Sequence, residues 1–142
     1  MSKLLFRCLP FDMAVRRLVG RAVAGETKTG RPTLLCMNRA VFASDLAAMA
    51  GRVDLNFVAI RAAEFEAIMS RFVPRRDQVQ TYFQRAYDAS PADRRDRLRA
   101  AASAILKAIH ARHPFDAVVV GNTDYWQDAP LMEATREMGV PF

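Results

Sequence analysis

Cysteine, histidine and tryptophan are scarce in this chain: two, two and one among 142 residues. Cys8 and Cys36 lack metal-ligand spacing, and with His110 and His113 they do not form a Cys/His set of the kind that holds zinc. Metal chemistry is therefore not expected, nor is a cofactor. Both cysteines are expected to be reduced and buried. No apolar run approaches the ~20 residues of a membrane span. Leu4–Phe6 is too short for the apolar core of a signal peptide, so a cytoplasmic location is expected. GxGxxG and a nucleophile elbow are missing. Gly25 and Gly30 have the gap of a phosphate-binding loop, but Arg31-Pro32 follows where such a loop needs Gly-Lys-Ser/Thr. The proline also lacks the amide that would point at phosphate. That motif is rejected.

What is present is ordinary globular material, with 51% hydrophobic and 25% charged residues and no internal repeat. Residues 1–142 read as one domain, an amino-terminal helix and turn over 1–29 and a strand-helix core over 30–142. The net charge of +6 invites a nucleic-acid reading. The arginines between Arg71 and Arg99 are, however, interleaved with Asp77, Asp88, Asp93 and Asp96, the pattern of solvated helix faces. Nucleic acid is the disfavoured partner. A basic amphipathic surface also suits peripheral contact with anionic lipid or phosphorylated substrates.

Along the chain, Phe11–Ala24 has the apolar spacing of a helix, with Arg16, Arg17 and Arg21 on its far side. Thr33–Met37 reads as a buried strand. Ser44 starts a short helix closed by Gly51. Val53–Ile60 alternates as a second strand, with Val53, Leu55, Phe57 and Ala59 on one face. Ala62–Phe72 is a helix stopped by Pro74, and Asp77–Asp88 is another. Ser90 is the expected cap of a helix whose first residue is Pro91 and whose buried stripe is Leu98, Ala102, Ile105 and Ile109. Asp116–Val120 is the third strand. A helix from Asp128 stops at Gly139, and Val140–Phe142 begins to look like a further strand. Strands alternating with helices predict an α/β fold, an open parallel sheet with helices on both faces.

In such a sheet ligands sit beyond the carboxyl ends of the strands. Asn38 and Arg39 follow the first strand. Gly121 follows the third, leading into Asn122, Thr123 and Asp124, which carry donors and acceptors, and Tyr125 and Trp126, which offer flat apolar faces suited to sugars or nucleobases. Asp124 is the first candidate base and Asp45 the second, since both fall on the expected rim. Asn38, Arg39, Asn122, Tyr125 and Trp126 are the candidate binding residues. His110 and His113 precede the third strand and belong at its amino end. The plain alternative is that 122–124 form local turn hydrogen bonds and the aromatics cover the core edge.

The run from His113 to Phe142, with Phe115-Asp116, Val118–Val120, Gly121-Asn122 and Gly139-Val140-Pro141 in order, resembles the amino-terminal Rossmann-like domain of GT-B-type glycosyltransferases of bacterial surface-polysaccharide biosynthesis. Asn38-Arg39 has a similar place, and the resemblance spans about residues 30–142. It implies a transferase half that faces a sugar or lipid-linked acceptor at the cytoplasmic membrane surface. It further implies that the sugar nucleotide is held by a carboxy-terminal partner domain that this chain lacks. The chain is then a fragment or a truncated copy, not active alone, completed by that domain or by a homo-oligomer. The competing class is a non-catalytic α/β binding or interaction module. An exposed edge at Val140–Phe142 would favour a protein partner, and a continuous basic groove would favour nucleic acid.

Overall fold

Asn56 occupies the inner face of the sheet, where an apolar residue would be expected, and its side chain holds the first turn of the fold in place. In a computed structural model, residues 3–24, 28–38, 48, 52–73, 87–120 and 128–142 are described. Asn56 is 5% exposed. Its Oδ1 accepts from the Lys28 amide at 2.8 Å, and its Nδ2 donates to the carbonyls of Lys28 at 2.9 Å and Arg31 at 3.1 Å. All but one of the side chain's hydrogen-bonding positions are thus used, which is what makes a buried amide tolerable.

The elements follow in the order α1 (Lys3–Cys8), α2 (Phe11–Gly20), β1 (Val23–Ala24), β2 (Thr33–Asn38), β3 (Asn56–Arg61), α3 (Ala62–Met69), a 3-10 turn (Ser70–Phe72), α4 (Ala92–Arg112), β4 (Ala117–Val119) and α5 (Asp128–Glu137). The sheet order is β1-β3-β2-β4. β2 runs parallel to β3 and to β4, while β1 is antiparallel to β3. The fold is therefore α/β with a mixed, mostly parallel four-stranded sheet. The expected helices at 44–50 and over most of 77–88 lie outside the described residues, apart from single positions.

Register assigns the two faces of the sheet. Leu35 pairs with both Val58 and Val118, and Met37 pairs with Ile60. These five residues are buried, and all the strand residues of the main core cluster come from this face. They meet Ala14, Val15, Leu18 and Val19 of α2, Phe65 and Ile68 of α3, and Leu98, Ala102, Ile105 and Ile109 of α4. The opposite face carries Cys36, which is fully buried, Leu34, Phe57, Ala59 and Ala117, each partly buried, and Val119, which is exposed. Among the described residues, the strand members of the main core cluster all lie on the first face.

Several expectations are corrected. The helix that should run to Ala24 stops at Gly20, a weak helix former. The chain turns at Arg21 and adds β1 to the edge of β3, pairing Val23 with Ala59 and Ala24 with Val58. β3 starts at Asn56, not Val53, and buries Asn56, Val58 and Ile60 instead of the Phe57 and Ala59 face. Alternation alone points inward the face without the polar residue, and Asn56 escapes that rule because its hydrogen bonds are met. Helix 62–72 breaks into α3 and a 3-10 turn where the Ser70 hydroxyl donates to the Ala67 carbonyl at 2.9 Å. Pro91, not Ser90, is the N-cap of α4, and Asp93 bonds Arg97 at 2.7 Å. Cys8 is exposed at the end of α1, a helix that the sequence pattern did not announce; Cys36 is buried as expected.

α5 ends in a Schellman motif. Gly139 has φ +69°, its amide donates to Arg136 at 2.9 Å, and the Val140 amide donates to Thr135 at 3.1 Å. This turn brings Pro141 beside β4, where its carbonyl accepts the Val118 amide at 2.9 Å. The expected strand at Val140–Phe142 is thus reduced to a single backbone bond along the outer edge.

Candidate functional site

The two ends of the parallel strands are built for different purposes. At the amino end, polar groups are spent on one another. The Asp116 amide donates to the Thr33 carbonyl at 2.8 Å, and Asp116 Oδ2 accepts the Thr33 amide at 2.7 Å. The Asn56 amide donates to the Pro32 carbonyl at 2.8 Å, and Arg31 pairs with Asp54. His110 packs edge-on against the buried ring of Phe115, with centroids 4.8 Å apart. These contacts fix the strands relative to each other, and His110 serves packing.

At the carboxyl end, β2 finishes at Asn38 and β3 at Arg61, paired in register. The chain passes from β2 outward to β3 on one side, then returns to place β4 on the other side of β2. The reversal between β2 and β4 is a topological switch point, the location where open α/β sheets leave a crevice for ligands. Asn38 closes β2 directly at this point. Arg39, Asp45, Asn122, Asp124, Tyr125 and Trp126 lie outside the described residues. Of the candidate site residues, only the Asn38 backbone is described, as the last residue of β2.

Sequence reasoning missed a charged cluster on the same edge. Glu64, in the first turn of α3, is 2% exposed. Arg21 Nη1 lies 3.0 Å from Glu64 Oε1, and Arg61 Nη1 lies 3.8 Å from the same oxygen. Neither carboxylate oxygen accepts a directed hydrogen bond. The helical spacing puts Arg21 on the solvent side of a longer helix; the stop at Gly20 turns it onto Glu64 instead. Burying a carboxylate costs several kcal/mol unless a cation accompanies it, which explains why Arg21 keeps this position. The sequence signal was the run Ile60-Arg61-Ala62-Ala63-Glu64, a strand end leading into a helix that opens with a charge pair at i, i+3.

The remaining described features carry less chemistry. The Cys36 thiol is pushed up to about 11 by burial, which suppresses the thiolate and with it any nucleophilic role. A groove of about 220 Å³ between α2 and α4 is lined by Phe11, Asp12, Val15, Arg16, Ala104 and Ala108. Among the described residues no three His, Cys, Asp or Glu side chains gather as a metal site, and no helix is long and apolar enough to cross a membrane. Two arginines of α4 are paired: Arg97 with Asp93 at 2.7 Å, and Arg99 with Asp96 at 2.9 Å and with Glu137 of α5 at 3.3 Å. Comparison with protein-family models, curated proteins and solved structures finds no match to this chain.

Proposed function

We propose that this chain is a Rossmann-like, acceptor-side domain of a GT-B-type glycosyltransferase working in surface-polysaccharide synthesis. The observation that carries this reading is the switch point between β2 and β4. The two strands that flank it are the ones followed in sequence by Asn38-Arg39 and by the polar and aromatic run 121–126. In this reading Asn38, Arg39, Asn122, Tyr125 and Trp126 bind a sugar or lipid-linked acceptor. Asp124, or Asp45, removes the proton of the acceptor hydroxyl as its oxygen bonds to the anomeric carbon and the bond from that carbon to the nucleoside diphosphate breaks, the diphosphate leaving with the electron pair. The sugar nucleotide is held by a second domain on a partner chain or further chain segment. The work is done in the cytoplasm, at the membrane surface.

Trp126 is the only tryptophan, and this reading assigns it to the cleft, so its emission is the readout. Titration with neutral di- and trisaccharides should change that emission saturably and shift the amide signals of Asn38 and Val119. A response at neither place across the saccharide panel would overturn the reading.

The second reading is a non-catalytic interaction module. It draws on the sheet face where Leu34, Phe57 and Ala117 are partly covered around the buried Cys36, with Val119 and Val23 exposed beside them. The bond from Val118 to Pro141 occupies the outer edge and weighs against partner binding by strand addition there. Light scattering separates this version, since an apolar face held by a second copy gives a dimer whose mass falls on dilution.

A further inference from the structure

Arg21, Arg61 and Glu64 form a cluster in which the anion is hidden and the cations are not. The Glu64 side chain is 2% exposed, whereas Arg21 is 34% and Arg61 54% exposed. Both guanidiniums approach the same Oε1 atom, at 3.0 Å and 3.8 Å, which brings the two cations together. Two cations against one carboxylate leave a positive charge in excess. The Arg61 contact, at 3.8 Å, is longer than a hydrogen bond, so its planar fork of donors is held in place by charge without being consumed. Arg61 is also the N-cap residue of α3, and its side chain makes no capping bond. The first amides of α3 therefore add partial positive charge to the same spot.

We propose that Arg21 and Arg61 form a phosphate-binding fork at the carboxyl edge of β3, with the buried Glu64 as the anchor that orients them. Guanidinium is the group suited to this task, because its paired N–H donors match two phosphate oxygens. The ligand class is a phosphomonoester or diphosphate. Arg61 is paired in register with Asn38, so the phosphate would belong to a ligand extending toward the switch point. That last step rests on the function proposed above; the phosphate site itself does not.

The test is titration of the 142-residue chain with inorganic phosphate and pyrophosphate at constant ionic strength, with sodium chloride as the balancing salt, followed by amide NMR. Saturable shifts are expected at Arg61, Ala62 and Ala63. Arg61→Gln should weaken binding at least about tenfold, equivalent to about 1.4 kcal/mol, and Arg61→Lys should recover only part of it, since an ammonium lacks the fork. Arg61 is more than half exposed, so these variants are expected to fold. Arg97→Gln, at a surface arginine of α4, should leave binding unchanged. Absence of saturation at constant ionic strength, or equal loss in Arg61→Gln and Arg97→Gln, would mean charge screening only and would overturn the site. Phosphate binding without any saccharide effect on Trp126 would keep the fork and discard the glycosyltransferase reading. The reverse pattern would discard the fork alone.

Discussion

Asp116 and Thr33 hold each other by two reciprocal bonds: amide to carbonyl at 2.8 Å, and amide to carboxylate at 2.7 Å. β4 is only three residues long, and this clasp sits one residue before it. Asp116→Ala should cost about 1 kcal/mol by removing the carboxylate acceptor. Asp116→Asn, which keeps an acceptor oxygen, should cost less. Urea melts of the two variants check this, and equal loss in both would show that the clasp rests on charge instead of on the hydrogen bond.

Asn56→Ala strips three bonds from the turn at 28–31 in one change. Water can reach Lys28 and Arg31, which are exposed, so the expected loss is about 2 kcal/mol and not the full cost of several buried orphans. Hydrogen exchange should speed up at Lys28 and at the amino end of β3 before other strand positions respond.

Tyr87 is buried and donates to Glu133 Oε2 at 2.7 Å. Burial foremost, then the hydrogen bond and charge of Glu133, push its phenol well above the ordinary value of 10, against a weaker opposite pull from Arg99 and Arg95. The folded state therefore keeps a proton that the unfolded chain releases. This contribution to stability is complete below about pH 10 and is lost as pH rises beyond it. Alkaline melts should show that decline, and Tyr87→Phe, less stable by about 1 kcal/mol at neutral pH, should lose the Tyr87 part of it.

The two thiols should separate kinetically. Cys8 is exposed and Cys36 buried, with its thiol pushed up to about 11. A disulfide reagent should label one thiol fast in the native protein and both in denaturant. Fast labelling of two native thiols would mean that the central strand opens readily.

Much of the helical and strand order was legible because burial repeats at fixed periods. The stripe Leu98, Ala102, Ile105 and Ile109 is fully buried as its spacing demands, and the stop at Gly139 has the positive φ that explains it. What escaped was tertiary. Asn56 inverted the inside of β3 because its bonding partners are on a turn far back in the chain, and no local pattern encodes that pairing. Helical spacing locates Arg21 only if the helix continues past Gly20, where it ends. The cluster on Glu64 was invisible for the same reason, since Arg21 meets it only through the reversal into β1. The placement of Asn38 at the rim needed only the rule that parallel strands share a carboxyl end.

The bond from Val118 to Pro141 bears on how the molecule behaves in a crowd. A sheet edge with alternating free amides and carbonyls is a template for another chain's strand, and the outer side of β4 would be such a template. Here the position beside Val118 is occupied by a residue that accepts one bond and has no amide to offer onward. An approaching strand meets an acceptor already used and a ring where a donor should be. Concentrated solutions of the chain should accordingly resist fibril growth through this edge, and Pro141→Val, which restores the missing amide, should shorten the lag before fibrils form.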